Sequence, residues 1–465
     1  MFLLLIGVAI LAYALIDYKK AFLIYLIYQL FWYDQLVVVH IGGRTVFIST
    51  FMNAVFFALY FVHGRMKCQN KKFPFKIPII ILAFSMFFTC FFAVAGFASE
   101  LTRQVTIFVR DFLIIWMIWR IVEKKKDFDF VIKGITIVMF VACIFGLLEY
   151  IAHKNPFFDY KSSIAMNEIG NYNYMVNSFS AMARGYRLYS IFEHPIGGGM
   201  VFSLYFAFVL NLYIKQKKEL PWRNLALITS LLCIPCIILT KMRSVYIFAL
   251  ITAIPIINFK KKRFYKIAGL AMILAVVSWP IISSNFDIFA SLFNKKLQET
   301  VGGSGLDQRL QQFSAVFSLM KMSPLFGLGE KFQDLIFNSY TAAALSYESL
   351  WLLIIPKYGI TGIIAYVIYG YFCVCRIPWM YRSIELFFLM LSYWVTYSVT
   401  SIPSFRTSIF FFIVFYYIKR SDVYIKAGRC NLSRIRKAAA WNKKNTRGMN
   451  EVESKDLILK DKQYL

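Results

Sequence analysis

Residues 124–152, KKKDFDFVIKGITIVMFVACIFGLLEYIA, decide the fold. Three lysines, Lys124-Lys125-Lys126, stand directly before an apolar run over 130–152, long enough to cross a bilayer as one helix. Working outward, the same unit recurs along the chain. Apolar runs occupy about 2–16, 21–37, 45–63, 77–97, 105–122, 130–152, 196–214, 224–240, 243–258, 266–284, 347–370, 384–400 and 406–418. Basic clusters follow every second run: Lys19-Lys20, Arg65 to Lys76, Lys124 to Lys126, Lys215 to Arg223, Lys260 to Lys266, then Arg376 with Arg382. That alternation is the positive-inside pattern of a multi-pass membrane protein. It predicts an all-α polytopic integral membrane protein of about 12–14 transmembrane helices, with the N-terminus outside and the C-terminus in the cytoplasm. The first apolar run has no basic stretch before it and reads as a retained anchor rather than a signal peptide.

Composition agrees. The 465 residues are 59% hydrophobic and 16% charged, with mean hydropathy +0.60. A soluble domain averages roughly 25% charged residues. The net charge of +28 would suit a nucleic-acid binder, but its placement in alternate short loops reports topology instead, so no nucleic-acid partner is expected. None of the eight cysteines falls in an outer loop, which argues against a disulfide framework. Cys233-Ile-Pro-Cys236 has redox spacing but lies within an apolar helix. The membrane domain is expected over 1–418, followed by a disordered basic tail, 419–465, lying near anionic headgroups.

Two segments break the rhythm of tight hairpins: 154–195 and 286–346, both assigned to the outside. Long polar connections on such a scaffold are where a site is expected. The first closes on Arg184-Gly-Tyr-Arg187-Leu-Tyr-Ser-Ile-Phe192-Glu193-His194-Pro195, followed by Gly197-Gly198-Gly199. Guanidinium forks suit phosphate oxygens, while headgroup contact is the plainer reading of the same arginines. Thr240-Lys241-Met242-Arg243-Ser244 places two cations at an outer hairpin tip, against the topological trend. In the second segment Arg309 opens an amphipathic run, with Leu310, Phe313, Val316, Phe317 and Met320 at helical spacing, stopped near Pro324. Glu348-Ser349 follows, and Lys357 is an ionisable group within an apolar run, a functional candidate by default unless it snorkels to the surface. No HExxH, P-loop, dinucleotide fingerprint or GxSxG pattern is present, and the acids assigned to the outside include no DxD pair. A substrate that arrives already activated is therefore expected, with neither cofactor nor metal.

Together these residues resemble the O-antigen polymerase and O-antigen ligase superfamily, polytopic glycosyltransferases acting on undecaprenyl-diphosphate-linked glycans. The resemblance covers about 130–415 and rests on four ordered signatures: Arg187 to Pro195, Thr240 to Ser244, Arg309 with Ser323-Pro324-Leu325-Phe326-Gly327-Leu328-Gly329, and Glu348-Ser349 with Gly359-Ile360-Thr361-Gly362. Ligases typically carry His eleven residues before the Gly-x-x-Gly; here Glu348 holds that place, which favours a polymerase of O-antigen, capsule or exopolysaccharide repeats. The resemblance implies a bacterial plasma-membrane enzyme working on the outer face without metal. Arg187, Arg243 and Arg309 would bind pyrophosphate, supported by Arg184 and Lys241. Glu348 is the first candidate for the base, then His194 or Glu193. Implied partners are the lipid-linked glycan, membrane lipids, a flippase and a chain-length regulator. The alternatives are an O-antigen ligase and a lipid-linked oligosaccharide transporter.

Overall fold

The computed structural model describes residues 2–31, 36–41, 44–63, 72–161, 185–216, 220–257, 306–332, 349–400 and 405–420, with single positions 265, 269 and 296. The expected span 266–284, Arg184, Glu348, the side chain of Arg309 and the tail beyond 420 lie outside the described residues.

Helices run in chain order as α1 (Phe2–Ile16), α2 (Tyr18–Tyr28), α3 (Ile48–His63), α4 (Lys76–Thr89), α5 (Phe97–Ile107), α6 (Ile114–Ile121) and α7 (Lys125–Ala152). They continue as α8 (Pro195–Gln216), α9 (Arg223–Leu239), α10 (Arg243–Ala253), α11 (Leu306–Met320), α12 (Leu350–Tyr371), α13 (Ile384–Val399) and α14 (407–420). Among the described residues, Lys125–Ala152, Pro195–Lys215 and Leu350–Tyr381 are long and apolar enough to cross a membrane, and six shorter apolar helices accompany them. The all-α membrane architecture expected from the sequence is borne out. Polar caps start the helices: Asp17 accepts from Lys20 N (3.0 Å), Ser349 from Leu352 N (3.3 Å) and Ser383 from Leu386 N (3.2 Å). Fully buried aromatics such as Phe22, Phe56, Phe75, Phe410 and Phe411 fill the interior, while Val62, Ile151 and Leu250 face outward, as lipid-facing residues do.

Two expectations are corrected. The runs 21–37 and 45–63 do not pass directly from helix to helix: β1 (Val37–Ile41) pairs antiparallel with β2 (Arg44–Phe47), Val37 opposite Phe47. A β-branched run followed by Gly42-Gly43 is hairpin chemistry, and the apolar average concealed it. The run 105–122 is not a plain helix either, because Phe108–Leu113 between α5 and α6 forms a π-helical turn. Asn53 of α3 holds it open, donating through Nδ2 to Val109 O (3.2 Å) and Arg110 O (3.0 Å) and accepting from Tyr25 Oη (2.6 Å).

The feature that positions everything near 320–362 is a break inside α12. Gly359 leaves helical geometry (φ 59°, ψ −152°), three residues beyond Pro356. Carbonyls and amides freed within an apolar setting must find protein partners. The loop after α11 supplies them. Leu328 N donates to Pro356 O (2.8 Å) and Gly329 N to Lys357 O (3.0 Å), while Ile360 N donates to Pro324 O (2.9 Å) and Thr361 N to Leu325 O (3.0 Å). Thr89 Oγ1 of α4 caps Phe326 O (2.7 Å). A side chain at Gly327 would lie 2.3 Å from Lys357 O, and one at Gly359 2.6 Å from Pro324 O. Both also have positive φ. Gly327→Ala and Gly359→Ala should each therefore lower the melting temperature of purified protein, through strain of at least about 1–3 kcal/mol. Gly370→Ala, where the added carbon meets Trp394 only at 3.5 Å, should leave it within a degree or two. Equal melting temperatures for all three would refute the seal.

Candidate functional site

The segment 185–194 is irregular backbone, and one carboxylate organises it. Glu149, near the C-terminal end of α7, accepts from Tyr186 Oη (2.9 Å), Tyr189 N (3.0 Å) and Ser190 N (2.6 Å). Ser190 takes a left-handed conformation (φ 56°); its Oγ donates to Ala142 O (2.6 Å) and its carbonyl accepts from Asn155 Nδ2 (2.8 Å). Next to this turn, Leu188 N donates to Leu239 O (3.0 Å), which stitches the segment to the end of α9.

That single backbone bond brings two separate sequence signatures together. Arg187 Nη1 lies 3.7 Å from Met242 Sδ, and Lys241, 8% exposed, sits with its ammonium 5.5 Å from the centre of the Tyr150 ring. Burial, then the nearby Arg187 guanidinium, lowers the pKa of Lys241. Burial, then the same guanidinium, holds the His194 imidazole down at about 4, so the ring is neutral near neutral pH. His194 Nδ1 accepts from Ile196 N (3.1 Å). The neutral ring therefore carries its proton on Nε2, which makes that atom a donor. Arg243 opens α10 directly after Met242 and is half-buried. Arg309 falls on the first turn of α11. The described residues thus gather Arg187, Lys241 and His194, with Arg243 adjoining in sequence.

Glu193 has a different setting. Its carboxylate, 4% exposed, accepts from Arg406 Nη2 on both oxygens (3.0 and 2.9 Å) and from Lys161 Nζ (3.0 Å), which also donates to Ile191 O (2.6 Å). Burial would raise its pKa, but Arg406 and Lys161 together hold it below the usual range. Lys161, Arg406 and Glu149 were not singled out in the sequence. The available signal was a charge at the edge of an apolar run, which by itself does not reveal its partner.

Below Arg406 lies a cavity of about 400 Å³, lined by Gln29, Asn53, Arg110, Asp111, Tyr393 and Tyr397 among others. It adjoins a second of about 530 Å³ that shares Arg110, Asp111, Tyr366 and Tyr397 and reaches Arg103, Glu330 and Lys357. Arg110 and Asp111 form a two-bond pair (2.8 and 2.9 Å). Lys357 resolves as a bound cation: its ammonium donates to Glu330 Oε2 (2.6 Å), whose other oxygen accepts from Tyr358 Oη (3.3 Å). Glu330 is placed by its amide, which donates to Glu100 Oε1 (3.0 Å) just beyond the Gly327-Leu328-Gly329 seal. Among the described residues no group of three or more His, Cys, Asp or Glu is arranged to hold a metal ion.

A helical membrane scaffold with the buried cations Lys161, Lys241 and Arg406 set around the 185–194 segment defines the class. Residues 228–367, from α9 through the Lys241 turn and the sealed loop into α12, match the family model described as O-antigen ligase. This match bears out the resemblance to the O-antigen polymerase and ligase superfamily. No curated protein matches the chain.

The Glu193 cluster has a pH signature. A carboxyl ionised more readily in the fold than in the unfolded chain contributes stability above its ordinary pKa of 4.5 and loses that contribution as pH falls through the lower folded value. Glu193→Gln, which strands two buried cations, should cost about 3–5 kcal/mol at neutral pH. It should also flatten the acid limb of melting temperature against pH; an unchanged acid limb would contradict the cluster.

Proposed function

We propose that this protein is a polysaccharide polymerase, joining oligosaccharide repeat units carried on undecaprenyl diphosphate at the outer face of the bacterial plasma membrane. The observation that carries the reading is the convergence of Arg187, Lys241 and the Nε2–H of His194 around the Leu188–Leu239 backbone bond. Two part-buried cations, one close enough to depress the other, are poised for a multiply charged anion, and a lipid diphosphate is such an anion.

In the proposed reaction an acceptor hydroxyl attacks the anomeric carbon of the donor glycan. The new glycosidic bond forms as the bond to the diphosphate oxygen breaks, and the diphosphate leaves with the bonding electrons. Arg187 and Lys241, joined by Arg243 and Arg309, and by Arg184 in support, neutralise that developing charge, commonly the largest catalytic contribution. His194 donates to a phosphate oxygen in this scheme rather than accepting a proton, because its Nδ1 is engaged by Ile196 N. Glu193, bound by two cations, positions the loop. The base role then rests with Glu348, the carboxylate just ahead of the Ser349 cap of α12, which takes the acceptor proton. A donor that is already a diphosphate ester needs neither nucleotide nor metal for activation. A flippase delivering the repeat unit and a chain-length regulator are the partners such a reaction calls for.

A ligase, moving finished glycan to another acceptor, is the second reading, favoured by the description of the family model. Glu348 in place of the ligase His weighs against it. A transporter would use broken helices that move, whereas the break in α12 is closed by four backbone hydrogen bonds.

Arg187→Ala and Lys241→Ala, at wild-type protein levels, should each lower polymer formation by about 10²–10³ and leave single repeat units on the carrier. Analysis of lipid-linked glycans by mass spectrometry reads this directly. Chains of normal length in both variants would overturn the assignment.

A further inference from the structure

The cavity beneath Arg406 plays no part in that chemistry, and its walls differ in kind from the Arg187–Lys241 cluster. We infer that it is a glycan subsite, a pocket of paired charges and tyrosines that binds a sugar residue of the lipid-linked glycan. The inference rests on the proposed polymerase reading for the source of that sugar, but not for its chemistry.

Charge comes first. Of the four described cationic side chains that line this cavity and the adjoining one, three face an acid: Arg110 with Asp111, Arg406 with Glu193, and Lys357 with Glu330. Such a wall has little to offer a diphosphate, whereas Arg187 and Lys241 repel each other and suit one. A neutral, hydroxyl-rich ligand needs donors and acceptors side by side. The Arg110–Asp111 pair provides them, each side chain about two-fifths exposed (40% and 39%). Ionisable groups within a span are expensive to place there and mark ligand pathways more often than structure.

Rigidity comes second. Arg110 and Asp111 sit on the π-helical turn that Asn53 and Tyr25 brace. Such turns recur at functional sites, and bracing one sets the side chains before a ligand arrives. Third, Tyr366, Tyr393 and Tyr397 line the cavity together with Asp111, and their rings offer apolar faces and hydroxyl rims, the combination that suits a sugar ring. Ser49 Oγ, buried on the same wall, has no hydrogen-bond partner among the described residues. Lobes of about 400 and 530 Å³ fall within the size range of small-ligand pockets.

The test is steady-state kinetics on purified protein with lipid-linked repeat unit as acceptor and a short lipid-linked polymer as donor. Asp111→Asn and Tyr397→Phe should raise KM for a glycan about tenfold, the loss of a hydrogen bond to a charged or hydroxyl group, with kcat within about twofold. The affinity for undecaprenyl diphosphate without sugar should stay at the wild-type value. Tyr397→Phe removes one hydroxyl only and guards against misfolding of the charge variant. A KM rise confined to the acceptor, or one confined to the donor, carries the subsite and assigns it to that glycan. Unchanged KM for both, or an equal loss of undecaprenyl diphosphate affinity, overturns it. Wild-type protein that elongates nothing, yet whose tryptophan fluorescence titrates with free repeat-unit oligosaccharide and loses that response in Asp111→Asn, retires the polymerase reading and keeps the subsite.

Discussion

A carboxylate clasped between two cations, Glu193 between Lys161 and Arg406, ties the 185–194 segment to the start of α14. In a low-dielectric interior each of these charges alone would be costly, and together they are tolerable only in one arrangement. That arrangement sets where the loop can lie. Arg187, six residues before the clasp in sequence, lies against the α9–α10 turn, His194 lies near its guanidinium, and Arg406 lines the cavity. Two chemically distinct compartments follow from one ion cluster: an electropositive corner with Lys241, and a charge-balanced pocket with Arg110 and Asp111.

The second constraint is the requirement that backbone groups in an apolar setting be bonded. It gives the Ser323–Gly329 and Gly359–Gly362 signatures a shared physical meaning. They are the two halves of one structure, a helix break and the loop that fills it, with glycines wherever a Cβ would strike the opposing carbonyl. The seal also aims Glu330 and Lys357 at each other across the cavity wall. Irregular backbone is thus used here to position side chains rather than to move.

Much of this was legible in the chain. The alternation of apolar runs with basic clusters gave the helical membrane fold, because it depends on local composition. The pairing of Arg187 with Lys241 was foreshadowed only as membership of one list of cations. What stayed hidden depends on contacts between distant residues. Val37 reads as the end of the greasy run 21–37 until its partner strand is seen. Glu193 reads as a free acid until Arg406, 213 positions later, is placed beside it. The π-helical turn at Arg110 is imposed by Asn53 on a different helix, and no periodicity in 105–122 announces it.

The central claim is that this membrane scaffold joins lipid-diphosphate-linked glycans using side-chain charge alone. Purified protein in lipid nanodiscs, given labelled undecaprenyl-diphosphate repeat unit with chelator present and no nucleotide, tests it most directly. The account predicts a ladder of elongated glycans on the polyprenyl carrier together with released undecaprenyl diphosphate. Repeat units that stay single under these conditions, or a ladder that forms only when a divalent ion or ATP is supplied, would contradict it.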